Sequence, residues 1–404
     1  MAAALRKAGR LLFLCILGPF VLCIRALKPL KLIRFGAIHG QRMGHLAIEP
    51  SLHLLLRESG VYPAASLDVF YFDRPIANRQ LQRMWCRVPE THFSRLSYFM
   101  DVANRMIPGG EAHRIPNLWE LWPASTSQPS PSLPRLSMRS PVRLSFTHEE
   151  EQRGRMALRE MGLPDGSAFV CFNARDPLFL DTVLPARDWG YHSYRDASIQ
   201  DYCPAIDELT GRGYWGIRMG ALVKDALQSG NPRIVDYATR WRTDFMDVFL
   251  CASCRFLIND SSGLMSVCVD FRRPLVLVNI IPIGVGFAFY TYEDRALYIP
   301  KRLRRRLDRR FLTFREILGS EIGRFSRSED YERAGLDVVC NTPQEILAVA
   351  LEMADRLDGR WLAHPEDDDL QQRYERILSD CGYRHTGPCR IGAAFLREHR
   401  AMLQ

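Results

Sequence analysis

The 404-residue chain has no long hydrophobic run of the kind a membrane-crossing helix requires. The apolar stretch from Leu11 to Ile24 stops at about fourteen residues, short of the roughly twenty that span a bilayer. A secretory signal is disfavoured too, because Arg25 intrudes where a small-residue cleavage site would sit and the first strand follows almost at once. The eleven cysteines are scattered. Their only close pair, Cys251-Ala252-Ser253-Cys254, has no second half to complete a four-ligand zinc site, so both thiols are expected to pack where a helix meets the next strand. So many free thiols imply a reducing compartment. No repeat of solenoid length is present. Low hydrophobicity is absent as well: 47% hydrophobic and 25% charged residues predict roughly two or three domains with buried cores, not disorder.

What is present is an arginine-rich surface, with formal charge +8 and pI near 9.0, which favours phosphates or acidic lipid headgroups. Lys7 and Arg10 precede the apolar run, and Arg25, Lys28 and Lys31 follow it. That arrangement fits a helix lying in an anionic membrane surface, and a helix packed on its own domain is the alternative. The basic run Lys301 to Arg310 lacks aromatic interleaving and any nucleic-acid fold signature. It is expected to form a solvated surface helix, with no nucleic-acid partner. Glu366-Asp367-Asp368-Asp369 is expected to be an acid-rich helix start, not a metal site.

Two strand-loop-helix units carry the functional signal. In the first, Leu32 to Ile38 leads through His39-Gly40-Gln41-Arg42-Met43-Gly44-His45 into a helix from Leu46 towards Arg57. In the second, Arg255 to Asn259 leads through Asp260-Ser261-Ser262-Gly263 into an apolar helix from Leu264. Each opens a helix N-terminus at the carboxyl end of a buried strand, where open α/β sheets bind ligands. Between them, Leu67 to Phe72 is a strand, Asn78 to Trp85 a helix, and Pro108 to Pro141 a region poor in periodicity, with a linker from Ser125 to Ser132. Thr147 and Glu150 form a capping box for a helix to about Met161. Strands follow at Ala168 to Asn173, Gly213 to Met219, Ile234 to Asp236, Phe256 to Asn259 and Pro274 to Asn279, with helices at Ile199 to Leu209 and Asp244 to Cys251. This alternation predicts a parallel sheet. The expected organisation is an apolar membrane-associating segment over 1–28, an N-terminal domain over 29–145 and a C-terminal domain over 146–404, with packing of its final helices back on the N-terminal domain left open.

Arg34-Phe35-Gly36, Arg42-Met43-Gly44-His45, Asn173-Ala174-Arg175-Asp176, Gly213 to Gly220, Asp244 to Asp247 and Ser261-Ser262-Gly263 together resemble a family of bacterial glycosyltransferases. That family is linked with surface polysaccharide or glycoconjugate assembly and is similar in layout to the GT-B heptosyltransferases. The resemblance runs from about Leu32 to the C-terminus. It implies an α/β, GT-B-like fold of two doubly wound, Rossmann-like parallel-sheet domains facing a cleft. It also implies transfer of a sugar from a nucleotide diphosphate sugar to a saccharide or lipid-linked acceptor, inverting and metal-independent. The donor diphosphate would bind the C-terminal domain, with Ser261, Ser262, Gly263, Arg175, Arg218 and Gly220 as contacts. Asn173 stands where related sequences often carry histidine.

In the same pattern, the glycine of the first loop precedes an acidic residue near the acceptor hydroxyl. Here His45 follows Gly44, so His45 is the expected base, with Glu49 orienting it or replacing it. His39, Arg42, Gly44 and Arg195 are expected acceptor or loop contacts. The expected co-substrate is the nucleotide sugar, with no resident cofactor and no metal. The expected place is cytoplasmic, peripheral on the inner face of the cytoplasmic membrane. A nucleotide-sugar epimerase of the same fold, or a non-catalytic binding protein on a transferase scaffold, remains open.

Overall fold

The computed structural model describes residues 2–63, 65–117, 141–183, 188–260, 262–284, 295–383 and 389–404, with side chains for all of these but 2–11, 179, 180 and 183. The chain divides into two compact units, one built chiefly from residues 1–123 and the other from residues 146–404. The linker expected at Ser125 to Ser132 lies outside the described residues.

In the first unit, β1 (Ile33–Ile38), β2 (Leu67–Phe72) and β3 (His92–Phe93) form a parallel sheet in that order. Among the described residues four α-helices accompany it: α1 (Ala2–Ala26), α2 (Met43–Glu58), α3 (Arg79–Arg87) and α4 (Leu96–Met106). The named strands run one way only, and among the described residues the return expected of a doubly wound sheet is reduced to one residue pair: Arg114 bridges Phe35 of β1 in parallel, and the Ile115 N–H donates to the Phe35 carbonyl at 2.8 Å. Helix α3 begins where the Asn78 side chain accepts the Leu81 N–H at 2.8 Å, a side-chain cap on an otherwise orphaned donor.

Register sets Arg34 directly opposite Asp68. Their fork of two 2.7 Å hydrogen bonds is buried between the first two strands, and His53 Nε2 of α2 lies 3.0 Å from the same carboxylate. Burial acts against ionisation of Asp68. The His53 and Arg34 contacts outweigh it and hold the carboxyl well below its ordinary range.

Helix α1 is both packed and exposed. Val21 is buried with Phe35 of β1 and with Met100 and Ala103 of α4, flanked by Phe13, Leu17 and Ile24. The Arg25 guanidinium donates to Asn104 Oδ1 (3.0 Å) and to the carbonyls of Asn104 (2.8 Å), Ile107 (2.7 Å) and Pro108 (2.7 Å), satisfying acceptors left over at the end of α4. None of the described helices is long and apolar enough to cross a membrane.

The second unit contains a seven-stranded, wholly parallel sheet: β4 (Phe169–Asn173), β5 (Trp215–Arg218), β6 (Ile234–Asp236), β7 (Leu257–Asn259), β8 (Leu275–Ile280), β9 (Ala296–Pro300) and β12 (Arg390–Ile391). Every residue of β4, β7, β8 and β9 is buried, as expected of strands covered on both faces. Its spatial order is β12-β9-β8-β7-β4-β5-β6, so the chain winds outward one way from β4 and then returns to wind the other way from β7. The Thr147–Glu150 capping box starts the helix His148–Glu160 as the sequence predicts. Cys251 and Cys254 are fully buried at the end of the helix Asp244–Ser253, immediately before β7.

The basic run is not the helix expected from its sequence. Arg302–Arg305 forms β10, paired antiparallel with β11 (Leu336–Val339). Strand pairing prevails because acidic partners are within reach: Arg304 and Arg306 bind Asp337, and Arg310 binds Glu316.

Candidate functional site

The strands β4 and β7 are neighbours, and strand order reverses between them. A crevice opens at such a point in a parallel sheet, outside the carboxyl ends of the strands. The residues there form a connected polar group. Asn173, last in β4, donates from Nδ2 to Asn259 Oδ1 (3.2 Å) and to Ser262 Oγ (3.0 Å). Ser262 Oγ in turn donates to Asn259 Oδ1 at 2.8 Å. Asn173 therefore links both strand ends, a role that the sequence pattern gave no reason to assign to it. Ser262 and Gly263 lead into the helix Leu264–Asp270, and Ser261 lies outside the described residues. Gly220, two residues beyond β5, has φ +154°, and a Cβ there would come within 2.5 Å of Val223 Cγ1. Only glycine fits.

Beside this group lies a cluster of buried charge. Asp260 is fully enclosed; one carboxylate oxygen accepts the Arg175 N–H, and Oδ1 has no hydrogen-bond partner among the described residues. Burial pushes its carboxyl up to about 6, against the pull of the Arg175 N–H and of the charges on Arg195, Arg175 and Lys301. The Arg175 guanidinium is paired through Nη1 with Asp196 and with the His192 carbonyl (3.2 Å). Its partner is thus neither Asp176 nor Asp181, the nearer acids in sequence. Burial lowers the Arg175 pKa, and it raises that of Asp196.

Lys301, at the head of the basic run, is 2% exposed, and its ammonium donates to the carbonyls of Tyr194 (3.0 Å) and Asp196 (2.7 Å). Sequence reasoning missed Lys301 by grouping it with the arginines after it. The available signal was its place directly after the β9 strand, at the same sheet end as Asp260 and Arg175. Arg195 ends the short 3-10 turn Gly190–Arg195 close to both carboxylates. Arg218 is 3% exposed and held by Asp236 (3.0 Å) and the Asp225 carbonyl (3.0 Å).

The first unit presents a different chemistry at the carboxyl end of β1. Glu49, on the second turn of α2, is 7% exposed and receives three hydrogen bonds. Oε2 accepts the His39 backbone N–H at 2.9 Å, and Oε1 lies 2.7 Å from His39 Nδ1 and 2.9 Å from His45 Nδ1. An ionised carboxylate can only accept, so each ring carries its proton on Nδ1 and is left with Nε2 as its basic nitrogen. The imidazole centroids are 5.5 Å apart. Glu49 resists the cost of burial because both rings bind it, and its pKa falls below the ordinary value. That of His39 is raised, chiefly by the Glu49 bond.

Arg42 precedes α2 at the N-cap and Gly44 lies in its first turn, both half-buried. Gly40 N–H binds Asp73, which fixes the loop. Below the histidines, a recess lined by Ile38, Glu49, Leu52, His53, Tyr62 and Phe70 enters the unit. The donor atoms of His39, His45 and Glu49 lie within 4.8 Å of one another, as do those of Glu345, Glu398 and His399, so either set has the spacing to hold a cation.

No family model matches the chain, and no curated protein matches it. Solved structures do. The ADP-heptose lipopolysaccharide heptosyltransferase II of E. coli is 16% identical over 61% of this chain and 84% of that one, with TM-score 0.39. A family 9 glycosyl transferase from Veillonella parvula is 13% identical over 61% and 80%, with TM-score 0.36. The iron-containing dodecameric glycosyltransferase TibC of enterotoxigenic E. coli is 12% identical over 66% and 63%, with TM-score 0.36.

Proposed function

We propose that the chain is a glycosyltransferase that takes a sugar from a nucleotide diphosphate sugar and passes it to a hydroxyl of a saccharide or lipid-linked acceptor, with inversion and without a metal. The observation that carries this reading is the polar group of Asn173, Asn259 and Ser262 at the strand-order reversal, with Arg175, Arg195 and Lys301 beside it. Hydroxyl, amide and backbone N–H donors with nearby cations suit a diphosphate leaving group, whose charge grows as the glycosidic bond breaks. Tight backbone at Gly220 keeps the neighbouring loop close to Asn173.

His45 is the proposed base in the first unit. Glu49 is the positioning residue that fixes its tautomer, and His39 is a second imidazole on the same carboxylate. In the transfer, His45 Nε2 takes the acceptor's hydroxyl proton, the oxygen forms a bond to the anomeric carbon, and the bonding pair to the donor oxygen leaves with the nucleotide diphosphate.

The test is release of nucleotide diphosphate from a panel of nucleotide sugars, with and without acceptor and in the presence of EDTA. Release that survives chelation, and falls at least about a hundredfold in His45→Ala while donor binding is kept, is the expected result. A chain that binds no nucleotide diphosphate in calorimetry overturns the reading. Binding without any release favours the non-catalytic scaffold.

A further inference from the structure

The exposed side of α1 and the adjoining start of α4 form one apolar surface on the first unit. Along α1, Leu12, Ile16 and Phe20 recur every fourth residue and are 64%, 58% and 62% exposed. That spacing puts them on one face, on the opposite side from the buried Val21. No polar or charged side chain interrupts the sequence between Leu11 and Ile24. On α4, Leu96 and Phe99 are 59% and 46% exposed, beside the exposed Tyr98. The two helices are joined by aromatic contact, with Phe13 and Phe99 ring centroids 6.5 Å apart and Phe99 and Tyr98 centroids 5.2 Å apart. A continuous apolar patch of this kind marks an interaction surface.

We infer that this two-helix face docks on an anionic lipid surface. Charge selects the occupant. The first 33 residues contain six lysines and arginines and no acidic residue, and Lys28 and Lys31 stand exposed just beyond the end of α1. A second copy of the chain would bring two such basic segments together, whereas acidic headgroups neutralise them. Tyrosine and phenylalanine at the edge of the patch suit the headgroup level, where a ring can bury its carbon body and leave a hydroxyl wet. Because Val21 and Arg25 fasten α1 to α4, the surface is a fixed part of the unit that lies on the membrane, with α1 neither crossing it nor detaching to insert. The inference stands on this surface alone and is independent of the transferase reading.

The full-length chain is sedimented with phosphatidylcholine vesicles and with vesicles containing phosphatidylglycerol as one part in three. Binding should be several-fold stronger to the anionic vesicles, weaken in high salt without vanishing, and fall by at least about tenfold in Ile16→Glu/Phe20→Glu. Leu96→Ser/Phe99→Ser, on the other helix, should weaken it too; far-UV circular dichroism melts establish that the variants remain folded. A wild-type chain left in the supernatant with both vesicles overturns the inference, as does vesicle binding unchanged in both folded double variants. Concentration-dependent dimers in sedimentation velocity, lost in Ile16→Glu/Phe20→Glu without vesicle binding by the wild type, would assign the face to a second copy instead.

Discussion

Replacing Glu49 by glutamine isolates the charge and the acceptor pattern on which both histidines depend. In the wild type, one carboxylate oxygen serves the His39 backbone N–H and the other serves two imidazole N–H groups. The amide has one acceptor oxygen. A backbone N–H cannot become an acceptor but an imidazole nitrogen can, so the oxygen of glutamine should stay with His39 N–H and its NH2 should face the rings. Both rings then carry their protons on Nε2, and the base is lost without any change of shape. Three charge-assisted bonds, each of about 1.5–3 kcal/mol, are exchanged for neutral ones, so a net destabilisation of about 2–4 kcal/mol is expected. Turnover should fall by about a hundredfold to ten-thousandfold, with donor affinity near wild type. The pH response has a definite sign. The raised His39 contributes stability that is full below its ordinary value of 6.5 and lost as pH rises through its higher folded value. Glu49, lowered, contributes stability that is full above 4.5 and lost as pH falls through its folded value. Both are full only between 4.5 and 6.5, and Glu49→Gln should flatten that optimum. Nitrogen-15 histidine NMR reads the tautomers directly. Rings still protonated at Nδ1 in the variant, or a His39 midpoint unmoved by the substitution, would refute the reasoning.

Asp260→Asn keeps an acceptor for the Arg175 N–H but removes an enclosed carboxyl whose value is raised from 3.8 to about 6. A raised acid gives stability that is present below 3.8 and lost as pH rises through about 6, so urea unfolding of the variant should lose the downward slope that the wild type shows across that interval; an unchanged slope would show that Asp260 is not its source. Arg25→Met keeps the apolar stem of the side chain and deletes its four hydrogen bonds to Asn104, Ile107 and Pro108, and should destabilise the first unit by about 1–3 kcal/mol in urea titration. A change within about 0.5 kcal/mol would mean that water replaces the arginine at no cost.

The sequence shows clearly the features whose cause is local. Continuous apolar runs mark β4 and β8, the Thr147–Glu150 pair marks a helix start, and His45 and Glu49 at a four-residue spacing mark a helix face. Strand order is not local, and the reversal between β4 and β7 depends on pairings up to 86 residues apart, as in the Asn173–Asn259 bond. The same limit hides the partner of Arg175, which is Asp196 and not a nearer acid. It also hides Lys301, which a charge run predicts to be solvated and the end of β9 buries. For α1, composition shows an apolar helix with basic flanks. Only packing shows that one side covers Phe35 and Met100 while the other stays open.

The two arginines assigned to phosphate from sequence now have different standing. Arg218 spends Nη1 on Asp236 and Nη2 on the Asp225 carbonyl, and its Nε is enclosed without a partner among the described residues, so the whole fork is turned into the protein. Its neutral replacement would leave the half-buried Asp236 with the Leu227 N–H but without its cation, and would act through stability. Arg175 spends Nη1 alone on Asp196 and the His192 carbonyl. A guanidinium has five N–H groups in a fixed plane, so this pairing aims the fork and leaves further donors for an anion. Asp196 is itself raised by burial and needs that cation, and an incoming diphosphate would compete with it for the same charge. On the proposed reading, Arg175 is therefore the residue through which diphosphate binding and the local ion pair would be coupled, whereas Arg218 holds the end of β5 in place.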